Sequence, residues 1–243
     1  MRGVGAYIRA MRVRSIRRVV VAVAALGLMA MGAGYAFGAS ETVTSSPACC
    51  TYSKPSFTID AGTLGSFQNQ TAGIPHTMTA SEPGPDHKPL FNTGTVSSGQ
   101  NAAVNGTQYL APGSYHFFCM IHGPSMSADL IVTGNGAPVA RPAISLKVLS
   151  RKLAKVASSG KLKLKLKLSA ATASNDVDVS AQKGSRKLGA VKKVDLAAGA
   201  SRVVKLTLSS SARKALDGVS SAKVKATADV PFGAPADAKR RLH

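Results

Sequence analysis

Four side chains of this 243-residue chain belong together chemically. Cys119, His122 and Met126 fall within the segment SYHFFCMIHGPSM, and His76 stands 43 positions before Cys119 in AGIPHTM. One thiolate, two imidazoles and one thioether make a soft, mixed nitrogen and sulfur donor set. Zinc accepts two His and one Cys. A thioether as fourth donor argues instead for copper, which takes a His₂Cys plane with a weak axial Met. Each residue alone has an ordinary reading: a loop His is polar surface, and a lone Met or Cys is a core apolar residue. The reading rests on their conjunction.

The elements around them must bring the two segments to one point. In Tyr115–Cys119 successive residues face opposite sides of a strand. Tyr115, Phe117 and Cys119 then share the inner face, and Cys119 ends the strand at its mouth. His116 points away and is left out of the set. Gly123 and Pro124 supply a tight turn after Cys119, which returns His122 and Met126 to the same point. Gly73-Ile74-Pro75 stiffens the separate loop that carries His76. From Ser56 onward, short β-prone runs alternate with Gly and Pro: SFTID, FQNQ, HTMTA, AAVNGTQYL, SYHFFC and ADLIVTG. Many short strands at this spacing predict an antiparallel sandwich or barrel.

On these motifs, residues 56–133 resemble the plastocyanin/azurin (cupredoxin) family. AGIPHTM is similar to the family's first-histidine loop. PGSYHFFCMIHGPSM is similar to its Pro-Gly-x-Tyr strand and Cys-x-x-His…Met loop. The resemblance implies a Greek-key β-sandwich holding one type 1 (blue) copper ion by His76, Cys119, His122 and Met126. It implies an electron carrier between redox donor and acceptor proteins rather than an enzyme. It also places His122 at an apolar surface patch, with Gly73, Ile74, Pro112, Ile121, Gly123 and Pro124 as candidate members. A backbone N–H to the sulfur and a partner for each free imidazole nitrogen are expected. Protein side chains fill all four ligand positions, leaving none for a substrate. The alternatives are copper binding or delivery without electron shuttling, and a surface structural protein with this fold.

Charge divides the chain. Residues 1–39 carry six Arg and no acid, residues 40–139 two Lys against five acids, and residues 140–243 23 basic against six acidic side chains. The first segment pairs its arginines with the apolar run VVVAVAALGLMAM and then small residues. That is the layout of a signal peptide, or of an uncleaved N-terminal anchor, and implies export out of the cytoplasm. Residues 40–55, rich in Ser, Thr and Pro, read as a linker. They contain Cys49-Cys50, which can form a vicinal disulfide, pair between molecules, or take up a soft metal. Asn69 and Asn105 begin N-x-T triplets of no evident meaning, and His87 reads as a solvated loop residue.

Residues 134–142 read as a second linker. Residues 143–232 lack Cys and His and alternate at period two, most plainly in KLKLKLKL, with four Leu on one face and four Lys on the other. A second small, Ig-like β-sandwich is expected there. It includes a helical turn over Ser211–Leu216, capped by Ser210 or Ser211 and stopped at Gly218. Residues 233–243 read as a basic tail. The fold class is therefore all-β. The lysines suit either a solvated face that discourages edge pairing or attachment to an anionic cell wall or membrane surface. Nucleic acid is disfavoured by the expected export and by the near absence of aromatics in the basic half.

Overall fold

A computed structural model describes residues 40–170 and 172–243. The expected signal peptide or anchor, residues 1–39, lies outside the described residues. No helix among those described is long and apolar enough to cross a membrane.

The first module packs two sheets. One joins β1 (Val43–Thr44), β3 (Gly65–Gln68) and β5 (Asn101–Val104) in the order β1-β3-β5. The other joins β2 (Ser56–Ala61), β4 (Thr79–Ala80), β6 (Gly113–Cys119) and β7 (Gly123–Gly136) in the order β2-β7-β6-β4. Period-two alternation decides what faces inward: β2 buries Phe57, Ile59 and Ala61 and turns the residues between them out. Phe57, Phe67, Phe91, Phe117 and Leu130 are almost wholly buried in one core. Burying each such side chain contributes about 1.5–3 kcal/mol relative to exposure. On the outer face of β6, His116 meets Asp129 at 2.9 Å, both exposed, so His116 is outside the core.

The sheets are not purely antiparallel, as the sequence led one to expect. β1 pairs with β3, and β2 with β7, in parallel. The first strand of each sheet adds to a partner from much later in the chain, which hairpin-scale patterning does not reveal.

The segment 40–55 is not a linker. Val43 and Tyr52 are buried in the core, and the Tyr52 ring packs edge-on to Phe117 with centroids 4.8 Å apart. Ser45 is fully buried and donates to Asn69 Oδ1, a partner that a solvated linker would not offer. The stretch 134–142 is also held: Gly136 pairs with Ala61, and Val139 N–H donates to Gln108 O over 2.9 Å.

The second module is a three-on-four sandwich. One sheet has the order β12-β9-β8, from β8 (Ile144–Val148), β9 (Lys161–Leu168) and β12 (Ser201–Thr207). The other has the order β11-β10-β13-β14, from β10 (Ser174–Lys183), β11 (Arg186–Leu196), β13 (Ala222–Asp229) and β14 (Ala236–Leu242). Leu162, Leu164, Leu166 and Leu168 are fully buried, and the intervening lysines are exposed. β14 corrects the expected basic tail: it pairs along β13 from Ala236 to Leu242, and Leu242 is fully buried.

Helix α1 (Leu153–Ser159) was not expected. It covers one end of the core with Leu153 and Val156 and stops at Gly160, whose φ of 61° suits glycine. Helix α2 (Ser210–Lys214) starts earlier than expected. Its cap is Ser209, the extended residue whose side chain accepts from Ala212 N–H.

The modules touch around Phe232. Its N–H donates to Asp86 Oδ2 over 2.9 Å, its carbonyl accepts from the Arg141 guanidinium over 3.1 Å, and its ring meets Tyr109 with centroids 5.9 Å apart.

Candidate metal centre

β6 carries Cys119 to the end of the sandwich and buries it completely. A register shift between Phe118 and Cys119 ends the regular ladder, and the next pair is Cys119 with Gly123. Three residues fill the turn, which closes with His122 N–H donating to Cys119 O over 3.2 Å. Gly123 has φ of 71°, which favours glycine there. The turn returns the His122 ring so that its Nδ1 is 3.4 Å from Cys119 Sγ. Met126 lies on β7 itself rather than in the loop, and is fully buried in the same core as Cys119.

His76 arrives from the other side. Its backbone exchanges two hydrogen bonds with Val96, of 3.0 and 2.8 Å. Its Nδ1 is 3.7 Å from Cys119 Sγ, and its ring centroid is 4.8 Å from that of His122. The donor atoms of His76, Cys119 and His122 lie within 4.8 Å of one another. Two imidazole nitrogens thus converge on one buried sulfur, 43 and three residues away in sequence.

The protonation pattern follows from the partners. Thr71 Oγ1 lies 2.6 Å from Ser46 O, which can only accept, so the hydroxyl donates there. Its oxygen is left to accept from His76 Nε2–H at 3.0 Å. In the neutral ring this selects the Nε2–H tautomer and leaves the Nδ1 lone pair toward the sulfur. Burial first, then the neighbouring His122, pushes His76 below the ordinary histidine value. Ser45 Oγ donates to Asn69 Oδ1 over 3.0 Å, and Asn69 Nδ2 donates to the carbonyls of Ile74 and Val96. This ties the His76 loop to β1.

Thr77 does two jobs. Its N–H donates to Cys119 Sγ over 3.3 Å, and its Oγ1 accepts from Met120 N–H over 2.8 Å. Its carbonyl accepts from Tyr52 Oη over 2.7 Å, and burial, then the nearby Cys119, pushes the Tyr52 phenol up.

Of the expected site residues, His76, Cys119 and His122 are brought together, and Met126 is buried on β7 in the core that also holds Cys119. Sequence reasoning missed Ser45, Asn69, Thr71 and Thr77, although an N–H to the sulfur was expected. A signal did exist for two of them. Asn69 and Thr71 continue the inward parity of Gly65 and Phe67, and polar residues at inward positions demand partners. Asn69 is fully buried, so its N-x-T triplet is not an exposed acceptor. His87 is exposed, as expected.

Of the expected surface patch, Ile121 is exposed and adjoins His122; Met120, at 66% exposure, was overlooked. The donor set fits a soft transition ion: one cysteine sulfur and two imidazoles, with a buried thioether in the same core. Cys49 and Cys50 are joined as a disulfide.

No protein-family model matches the chain, and no curated protein matches it. Several solved structures are similar to part of it. An amicyanin mutant in the Cu(I) state is 18% identical, with a TM-score of 0.31, over 39% of this chain and 83% of that one. Auracyanin A, a "blue" copper protein from the green thermophilic photosynthetic bacterium Chloroflexus aurantiacus, is 18% identical with a TM-score of 0.33, over 38% and 97%. A purple cupredoxin from Nitrosopumilus maritimus is 22% identical with a TM-score of 0.28, over 34% and 82%. The first module is a two-sheet β-sandwich with a parallel outer strand and a His-Cys-His convergence beyond the end of β6.

Proposed function

We propose that the chain is an exported carrier of single electrons, built around one copper ion held by His76, Cys119, His122 and Met126. The observation that carries this reading is the convergence of two imidazole Nδ1 atoms, at 3.7 and 3.4 Å, on a buried sulfur that also accepts the Thr77 N–H. When bound, copper supplies a one-electron couple. The protein's part is to hold the donors still. Thr71 fixes the His76 ring, Thr77 fixes the sulfur, and the β-sandwich allows neither to relax. His122 is half-buried beside exposed Met120 and Ile121, which supports electron exchange at that surface. Every donor comes from a protein side chain, which supports a carrier rather than an enzyme.

The test is the visible and EPR spectrum after one equivalent of Cu(II). An intense thiolate-to-copper band with narrow hyperfine splitting is expected, and the Cys119→Ser protein should lack it. A colourless protein, or an ordinary weak copper spectrum, sinks the proposal and leaves copper delivery or a structural surface role.

The second module supports attachment to an anionic wall polymer or membrane surface. Its β12-β9-β8 sheet presents Lys147, Lys161, Lys163, Lys165, Lys167 and Lys205 outward, with no acidic residue on any of the three strands. The Ig-like reading of this module rests on its three-on-four strand order.

A further inference from the structure

The Cys49–Cys50 disulfide lies on the rim of the metal centre. Both Sγ atoms and a ring nitrogen of His122 lie within 4.8 Å of one another. Metal–sulfur and metal–nitrogen bonds of about 2.0–2.3 Å put donors around one ion at roughly 3.3–4 Å from each other, so the three groups can share an ion once the Cys49–Cys50 bond is broken and the two sulfurs part to that spacing.

This proximity is built into the fold. The loop that bears the pair is closed at its base by Ser46 N–H to Thr51 O and by the Ser45–Tyr52 bridge. Ser46 O accepts from Thr71, which orients His76, and Tyr52 donates to Thr77 O, whose N–H holds Cys119. Both stems of the loop are thus tied to the residues that position the inner ligands.

Exposure grades across the two sets. Cys49 is exposed, and Cys50 and His122 are half-buried. His76, Cys119 and Met126 are fully buried. An ion arriving from solvent therefore meets the cysteine pair and His122 first.

We propose that Cys49 and Cys50, once reduced, form with His122 an outer soft-metal site that receives Cu(I) and passes it to the inner donors. His122 belongs to both sites, so it stays bound while the sulfur ligands change. The hand-over rests on the copper reading of the inner site; the outer site does not.

The chemistry balances. A dithiol reductant attacks the Cys49–Cys50 bond; its two S–H bonds and the S–S bond are exchanged for two cysteine thiols and the reductant's own disulfide. Binding of Cu(I) releases the two thiol protons, because thiolates are the ligands. On transfer, the Cys49 and Cys50 sulfurs let go as Cys119 binds; the proton lost by Cys119 and one from solvent protonate the two departing cysteines. Copper keeps its oxidation state throughout. A disulfide oxidant then re-forms the Cys49–Cys50 bond and closes the outer site. Thiolates select Cu(I) over harder ions, which sets the cargo.

The test uses the Cys119→Ser protein, whose inner site lacks its thiolate. Cu(I) is titrated against bicinchoninate before and after treatment with a trialkylphosphine, which is then removed. Reduction should tighten the retention of one Cu(I) by about tenfold or more, the scale on which a lost metal-site contact is felt. That gain should vanish when Cys49→Ser and Cys50→Ser are added, and shrink when His122→Ala is added. A gain absent in the first protein, or indifferent to His122, overturns the assignment. Should Cys119→Ser not fold by circular dichroism, the wild-type chain answers through rates. Cu(I) uptake, read after oxidation as the thiolate-to-copper band, should be faster with the pair reduced; equal rates overturn the proposal. A wild-type chain with no such band in any state would instead remove the inner-site reading, leaving the outer-site titration to stand by itself.

Discussion

Thr77 donates its backbone N–H to Cys119 Sγ over 3.3 Å, although the two residues are 42 positions apart. The same residue accepts from Met120 N–H through its side chain, so it grips the ligand from both sides. Thr77→Val keeps the N–H and the volume but leaves the Met120 N–H without its acceptor. Stability of the metal-free protein should fall by about 1–3 kcal/mol, because the buried Thr79 hydroxyl also loses the Thr77 oxygen to which it donates over 3.2 Å. Urea unfolding measures that loss. The charge-transfer band should persist, because the N–H to sulfur remains.

Thr71→Val acts on the metal instead. His76 Nε2–H loses its acceptor at 3.0 Å, and nothing then fixes the tautomer or the ring plane. Removing such an outer partner costs about 10–100-fold in metal affinity. A chelator competition on the wild-type and variant proteins reads this directly. An unchanged affinity would mean that packing alone holds His76.

Met126 is fully buried on β7 in the Cys119 core. Met126→Leu nearly conserves volume and should cost less than about 1.5 kcal/mol of packing. Loss of the thioether donor should leave copper on the three stronger ligands and raise the midpoint potential, because a weak donor to Cu(II) has gone. Potentiometry of both proteins checks the direction. Complete loss of copper would make Met126 an essential ligand rather than a tuning one.

Legibility differs sharply between parts of the chain. The four candidate ligands could be read because Cys and His are scarce and the order of the set is specific. KLKLKLKL could be read because its period matches a strand without interruption. β1 was hidden because the only fully buried apolar residue of ETVTS is Val43 and its partner strand is distant. β14 was hidden because ADAKRRL buries only Leu242 fully, and its charges suggest a tail. Thr71 and Thr77 escaped because Ser and Thr are common. Their meaning lies in bonds to Ser46 and Cys119, 25 and 42 residues away. Local patterning carries no record of such pairings.

Acid should destabilise the metal-free protein. His76 is fully buried, and its folded-state value is pushed down, first by burial and then by His122. The unfolded chain binds a proton near the ordinary value of about 6.5, whereas the folded chain resists it. Protons therefore bind preferentially to the unfolded state as pH falls. The contribution of His76 is fully present above the unfolded value and is lost as pH falls toward the folded one. Urea midpoints of the metal-free chain should decline from about pH 7.5 to about pH 5, across the ordinary histidine value, and His76→Asn should flatten that decline. Equal slopes would assign the acid sensitivity to other groups.

The outward face of β9 sets stability against attachment. Lys163 stands directly opposite Lys205 on β12, and Lys165 opposite Lys147 on β8. Like charges placed opposite across a ladder destabilise it, on the scale of about 0.2–1 kcal/mol per pair. A face that served only solubility could have mixed its charges at no loss. Lys163→Glu should therefore stabilise the module by up to about 1 kcal/mol through pairing with Lys205, as read by thermal or urea unfolding. The same substitution should weaken retention on phosphocellulose and lower the salt needed for elution, because two units of charge are removed from the face. These opposed effects separate the two readings of the lysines. Greater stability with unchanged retention would leave the face as a solvated strand surface. Greater stability with weaker retention is what an anion-docking sheet requires.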